Sequence, residues 1–106
     1  MPRVGNQVWA NWTESLIPKH QFLRVVNEND LTPHLPPDFS GFQHSGLEIW
    51  ISDSTHTYNC SSKTLESDEC ANSIQFSWNI AKHGTAWGIV IGHKSCYDSR
   101  ILSLQI

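Results

Sequence analysis

The chain predicts an α/β fold, and three stretches carry that expectation. Gln21-Phe22-Leu23-Arg24-Val25-Val26 is β-rich and almost continuously apolar, as in a strand buried on both faces of a sheet. Gly46-Leu47-Glu48-Ile49-Trp50-Ile51 reads as a second strand. Ahead of both, residues 5–17 carry apolar side chains at helical spacing.

Each element has its own justification. Asn6 is a fitting N-cap for the first helix, Val8, Trp9, Trp12 and Leu16 fall on one face, and Pro18 ends it. That apolar face requires something to cover. After the first strand, Asn27-Glu28-Asn29-Asp30 breaks the apolar run, and Pro33, Pro36 and Pro37 hold the next segment extended. Residues 52–72 are rich in Ser, Thr and Asn without periodicity, so a surface loop is expected there. Ile74, Phe76 and Trp78 alternate in strand fashion, and His83-Gly84 leads into an apolar stretch from Trp87 to Ile91. No repeat, linker or low-complexity run divides the chain, and residues 1–106 are expected to lie in one domain.

Composition removes several classes of function. With 39% hydrophobic and only 16% charged residues, and with five Trp and four Phe, the chain is too apolar and aromatic to remain disordered. The seven Lys and Arg are scattered singly against a net charge of −3, so no basic stripe exists to follow a phosphate backbone and nucleic acid is excluded as a partner. No apolar run approaches the ~18 residues of a transmembrane span, and the N-terminus as given lacks the basic and apolar regions of a signal peptide. Asn11-Trp12-Thr13 and Asn59-Cys60-Ser61 fit the glycosylation acceptor pattern, a weak pointer outward.

The chemistry resides in few residues. Loops leaving the C-terminal ends of strands converge on the site crevice of α/β folds, which makes Asp30 a candidate carboxylate, although aspartates are also ordinary turn residues. His20, His34, His44, His56 and His93 show none of the short His/Cys intervals of zinc ligands, so no metal and no cofactor is expected. Cys60 and Cys70 bracket a nine-residue loop, a spacing that permits a disulfide, while Cys96 lacks an evident mate; three reduced, buried thiols are the alternative. The tryptophans are expected to fill a core.

Several motifs together resemble the fungal-type lipases, the class 3 lipase family, which includes feruloyl esterases. Asn29-Asp30-Leu31-Thr32-Pro33-His34-Leu35-Pro36-Pro37 and Gly41-Phe42-Gln43-His44-Ser45-Gly46-Leu47-Glu48-Ile49-Trp50 are similar to that family's C-terminal region. Pro2-Arg3-Val4-Gly5-Asn6 is similar to its stretch beyond the nucleophile helix, with Met1 where relatives carry glycine or alanine. His83-Gly84-Thr85-Ala86-Trp87-Gly88 is similar to its terminal histidine segment, departing at Ala86, where many relatives have an aromatic.

The resemblance implies the C-terminal part of an α/β-hydrolase fold, incomplete because the nucleophile elbow and the preceding parallel strands are absent. It implies Asp30 and His83 as catalytic acid and base in the α/β-hydrolase order, and an ester or lipid substrate reached through a full-length parent. No Gly-x-Ser-x-Gly occurs in the 106 residues, and without a nucleophile the chain alone is expected to be inactive, since triad-dependent acyl transfer then falls by about a millionfold. The resemblance also implies a Cys60–Cys70 disulfide, a partner for Cys96 near the mature N-terminus, and an extracellular location. A lipase-derived binding or interaction protein without catalysis is the alternative.

Overall fold

The structure, a computed structural model, describes residues 1–60, 68–74 and 78–92. It opens with β1 (Gly5–Asn6) and α1 (Gln7–Leu16). The side chain of Asn6 accepts from the Trp9 amide at 3.0 Å, the expected N-cap. At the other end Ile17 turns extended while its N–H still reaches the Thr13 carbonyl at 2.9 Å; the ring of Pro18 disfavours a helical conformation at Ile17. The buried positions of α1 are Ala10 and Thr13, whereas Val8, Trp12 and Leu16 are exposed. The expected apolar face is therefore largely open: of its four residues Trp9 alone is partly covered, lying against Gly5.

Three strands form the main sheet in the order β2 (Leu23–Asn27), β4 (Leu47–Ile51), β5 (Thr57–Cys60). β2 runs parallel to β4, pairing Leu23 with Leu47 through Asn27 with Ile51. Burial on both faces of β2 is not what the structure has. Arg24 and Val26 are buried on one face, while Leu23 and Val25 on the other are exposed, since among the described residues β2 is an edge strand and its second face is covered only at Asn27.

The residues between β2 and β4 pack as short 3₁₀ turns at Thr32–His34 and Asp38–Ser40, followed by β3 (Phe42–Gln43), which pairs antiparallel with β1. Gly46 lets the chain enter β4. Its φ of +82° and the 2.6 Å that would separate an added Cβ from the Phe22 carbonyl oxygen leave room for glycine alone. The same residue ties the helix to the sheet, its N–H donating to Glu14 Oε1 at 2.6 Å.

The expected loop over residues 52–72 is broken by β5, which pairs antiparallel with β4. A tight turn makes this possible: Asp53 Oδ1 accepts from the amides of Thr55 and His56 at 2.8 and 3.0 Å. The Thr55 amide, the Thr55 hydroxyl and His56 hold the Asp53 carboxyl well below the usual carboxylate range. The strand then places Tyr58 opposite Trp50, ring centroids 5.9 Å apart, and Cys60 opposite Glu48.

Cys60 is bonded to Cys70, the disulfide that the resemblance implied. Beneath it, Arg24 and Glu48 form a buried ion pair at 3.1 Å, and Glu48 Oε1 also accepts from the Ala71 amide at 3.0 Å. Val26, Ile51 and Ala71 complete this core. Phe76 of the expected 74–78 strand, Cys96 and His93 lie outside the described residues.

The last described part is a 3₁₀ turn at Ile80–Gly84 and a hairpin of β6 (Thr85–Ala86) and β7 (Ile89–Val90). Trp87 and Gly88 both take positive φ at its tip, as the tightest hairpin turns require. Trp12 and Trp87 are largely exposed rather than core-filling, and Trp87 lies against β5 with its Nε1–H donating to Thr57 Oγ1 at 3.1 Å. No helix among the described residues is long and apolar enough to cross a membrane.

Candidate active site

Asp30 and His83 meet. Nδ1 of His83 lies 2.7 Å from Oδ2 of Asp30, across 53 residues of chain. Because a carboxylate oxygen only accepts, the ring nitrogen facing it carries the hydrogen, an arrangement that in the neutral tautomer puts the lone pair on Nε2. The carboxylate is nearly sealed at 5% side-chain exposure, whereas the imidazole is 48% exposed. A buried carboxyl thus holds a half-exposed ring.

Asp30 is aimed by the end of β2. Its N–H returns to the Asn27 carbonyl at 2.9 Å, and its other oxygen, Oδ1, accepts from the Thr32 amide at 2.9 Å. This side-chain turn, which Asp forms readily, fixes both carboxylate oxygens at once. Glu28 takes a left-handed conformation with φ 45°, placing the Asp30 loop beyond the sheet's edge.

His83 is aimed by the turn Ile80–Gly84, which Asn79 caps through its side chain to the Ala81 amide at 2.9 Å. Three links dock that turn on the end of β2. The Asn79 amide donates to the Asn29 carbonyl at 2.8 Å. Nδ2 of Asn27 donates to the Lys82 carbonyl at 3.0 Å and to Thr85 Oγ1 at 3.2 Å. Nζ of Lys82 pairs with Glu28 Oε2 at 2.7 Å. None of these partners was singled out from the sequence. No spacing rule announces an ion pair between residues so far apart.

The remaining histidines divide by environment. His44 Nε2 sits 2.6 Å from the Pro33 carbonyl, and His34 stacks on Trp78 at 5.0 Å, so both support the loop that follows Asp30. His34 and Trp78 also line a cleft of about 380 Å³ with Arg3, Leu35 and Phe39, which neither Asp30 nor His83 reaches. Glu48, Cys60 and Cys70 gather potential ligand atoms within 4.8 Å of one another. The two sulfurs are spent in the disulfide and the carboxylate in its pair with Arg24, so this grouping offers no thiolates to a metal.

A buried carboxylate hydrogen-bonded to a half-exposed imidazole is an arrangement that proton-transfer chemistry can use. The family described as Lipase (class 3) matches residues 1–40. A lipase of Rhizomucor miehei is 42% identical over 93 residues, covering 86% of this chain and 25% of that protein. A secreted mono- and diacylglycerol lipase of Malassezia globosa is 36% identical over 96 residues, covering 82% of this chain and 30% of that one. Among solved structures, a triacylglycerol lipase described as having a serine protease triad at its catalytic centre superposes with a TM-score of 0.74. It is 40% identical, with coverage of 85% of this chain and 34% of that one. The chain thus spans about a quarter to a third of the length of these relatives, and its fold is the corresponding part of an α/β hydrolase.

Proposed function

The chain belongs to the class 3 lipase family, and from that membership we propose that it supplies the acid, Asp30, and the base, His83, of a serine-dependent carboxylic ester hydrolase of lipids. The observation that carries this reading is the 2.7 Å contact between His83 Nδ1 and Asp30 Oδ2, with the acid buried and the ring open. On this reading residues 1–106 are the C-terminal segment of one lipase-type domain.

The chemistry follows from the ring's orientation. Nε2 of His83 removes the proton of a serine hydroxyl as its oxygen bonds to the ester carbonyl carbon. The imidazolium then passes that proton to the departing alcohol as the carbon–oxygen bond breaks. Water cleaves the acyl-serine by the same proton path. Asp30 holds the tautomer and stabilises the imidazolium throughout. Since the 106 residues hold no Gly-x-Ser-x-Gly, the serine and its oxyanion donors come from polypeptide outside them.

Secretion is supported by the similarity to a secreted lipase and by the Cys60–Cys70 disulfide, a bond that persists in oxidising compartments. Substrates by this account are esters of glycerol or related lipids.

A transplant tests the reading. Residues 1–106 replace the matching segment of the Rhizomucor miehei lipase, and hydrolysis of a nitrophenyl ester is followed. The chimera is expected to turn over, and to lose about 10⁴-fold or more in kcat with His83→Ala or Asp30→Asn. The 106-residue chain alone is expected to match the buffer blank. An active chimera indifferent to both substitutions, or saturable hydrolysis by the chain alone, overturns the proposal.

A further inference from the structure

We propose that Glu28 and Lys82 form a positioning clamp that sets the His83 ring against Asp30, an inference that rests on reading those two as acid and base. Glu28 occupies the turn between β2 and Asp30, and it is held from three sides. Its N–H donates to the Ile51 carbonyl at 2.6 Å, its own carbonyl accepts from Trp50 Nε1 at 3.0 Å, and its carboxylate meets Lys82 Nζ at 2.7 Å. The first two bonds fix it to the end of β4, the neighbouring strand of the same sheet. The third reaches the residue immediately before His83.

The clamp has a physical task because, among the described residues, little else holds the His83 turn. Its described side chains are mostly exposed, Ile80 and Ala81 among them, so apolar burial contributes little to its position. What fixes it is polar: the Asn79–Asn29 backbone bond, the Asn27 contacts and the ion pair. Of these, the ion pair joins two charged side chains, one two residues before Asp30 and the other immediately before His83. A 3₁₀ turn five residues long, docked through three links, swings when one is cut, and the Asp30–His83 bond lies at the end of that lever.

The left-handed conformation of Glu28 fits this role. A non-glycine residue with φ 45° is costly, and Asn or Gly would suit the turn better. A glutamate there is explained by its carboxylate, which neither alternative can extend to Lys82.

The test reads the hydrogen bond itself rather than turnover, so its failure is separate from failure of the hydrolase reading. In the chimera with the Rhizomucor miehei lipase, which supplies the rest of the domain, the downfield proton of His83 Nδ1 is observed by NMR. Lys82→Met and Glu28→Gln are each expected to abolish that resonance. The exchanged pair, Glu28→Lys with Lys82→Glu, is expected to restore it, as is lower salt to strengthen it. Contacts between Val25 and Ile49 across β2 and β4 report whether the sheet persists; Glu28→Asn, which suits the backbone and replaces the carboxylate with a shorter, neutral carboxamide, stands in for either single variant that loses them. An unchanged resonance in both single variants, or no recovery in the exchanged pair while the sheet persists, overturns the clamp.

Discussion

Gly46 shows how one hydrogen in place of a side chain permits the entry to the central strand. A methyl group there would meet the Phe22 carbonyl oxygen, which also accepts from the Leu47 amide at 2.8 Å and begins the β2–β4 ladder. Gly41, with φ +86° but nothing within 4 Å of an added Cβ, separates the two costs. Gly46→Ala is expected to lower stability to urea by at least about 2 kcal/mol, and Gly41→Ala by about 1 kcal/mol, the strain of the left-handed backbone alone. Equal losses would show that the contact with Phe22 costs nothing. At this scale the sequence was informative where residue type and local motif coincide: Asp30 and His83 sit in stretches that resemble a family's, and the structure brings them to 2.7 Å. Lys82 and Asn27 were illegible because each acts through a partner that the fold alone makes adjacent.

Among the elements, β5 depends most on one covalent link. It is four residues long, exposed at Thr57, Tyr58 and Asn59, and buried only at Cys60. Closing the loop to Cys70 stabilises the fold by about 2.5–3 kcal/mol in the chain-entropy account. Cys60→Ser with Cys70→Ser is expected to lower the urea midpoint accordingly and to speed amide exchange in β5 more than in β2. Uniform exchange across the sheet would place the bond's effect elsewhere. This strand escaped the sequence because its residues lack alternation of apolar and polar types. Its pairing comes from the Asp53 turn and from β4, not from its own pattern. The helix, by contrast, was legible to within two residues, since Asn6 and Pro18 act locally at its two ends.

For the whole molecule the governing feature is apolar surface left open. Leu23 and Val25 on β2 and Val8, Trp12 and Leu16 on α1 face outward, and an apolar edge strand is a template for pairing with another chain. The chain alone is expected to self-associate, and Leu23→Lys with Val25→Lys is expected to shift sedimentation towards monomer. A monodisperse parent that melts cooperatively would contradict this. The sequence's apolar run was read as burial on both faces, and the run is real; among the described residues the second face of β2 is covered only at Asn27. The disulfide has one more consequence, in the chain's connectivity. Asp30 lies before Cys60 and His83 lies after Cys70. A protease cutting between the two cysteines would produce two polypeptides still tethered through sulfur, one bearing Asp30 and the other His83. Such a nicked molecule migrates as a single species until a reductant parts the pair, and from then on the Asp30–His83 hydrogen bond exists only while the fragments remain associated.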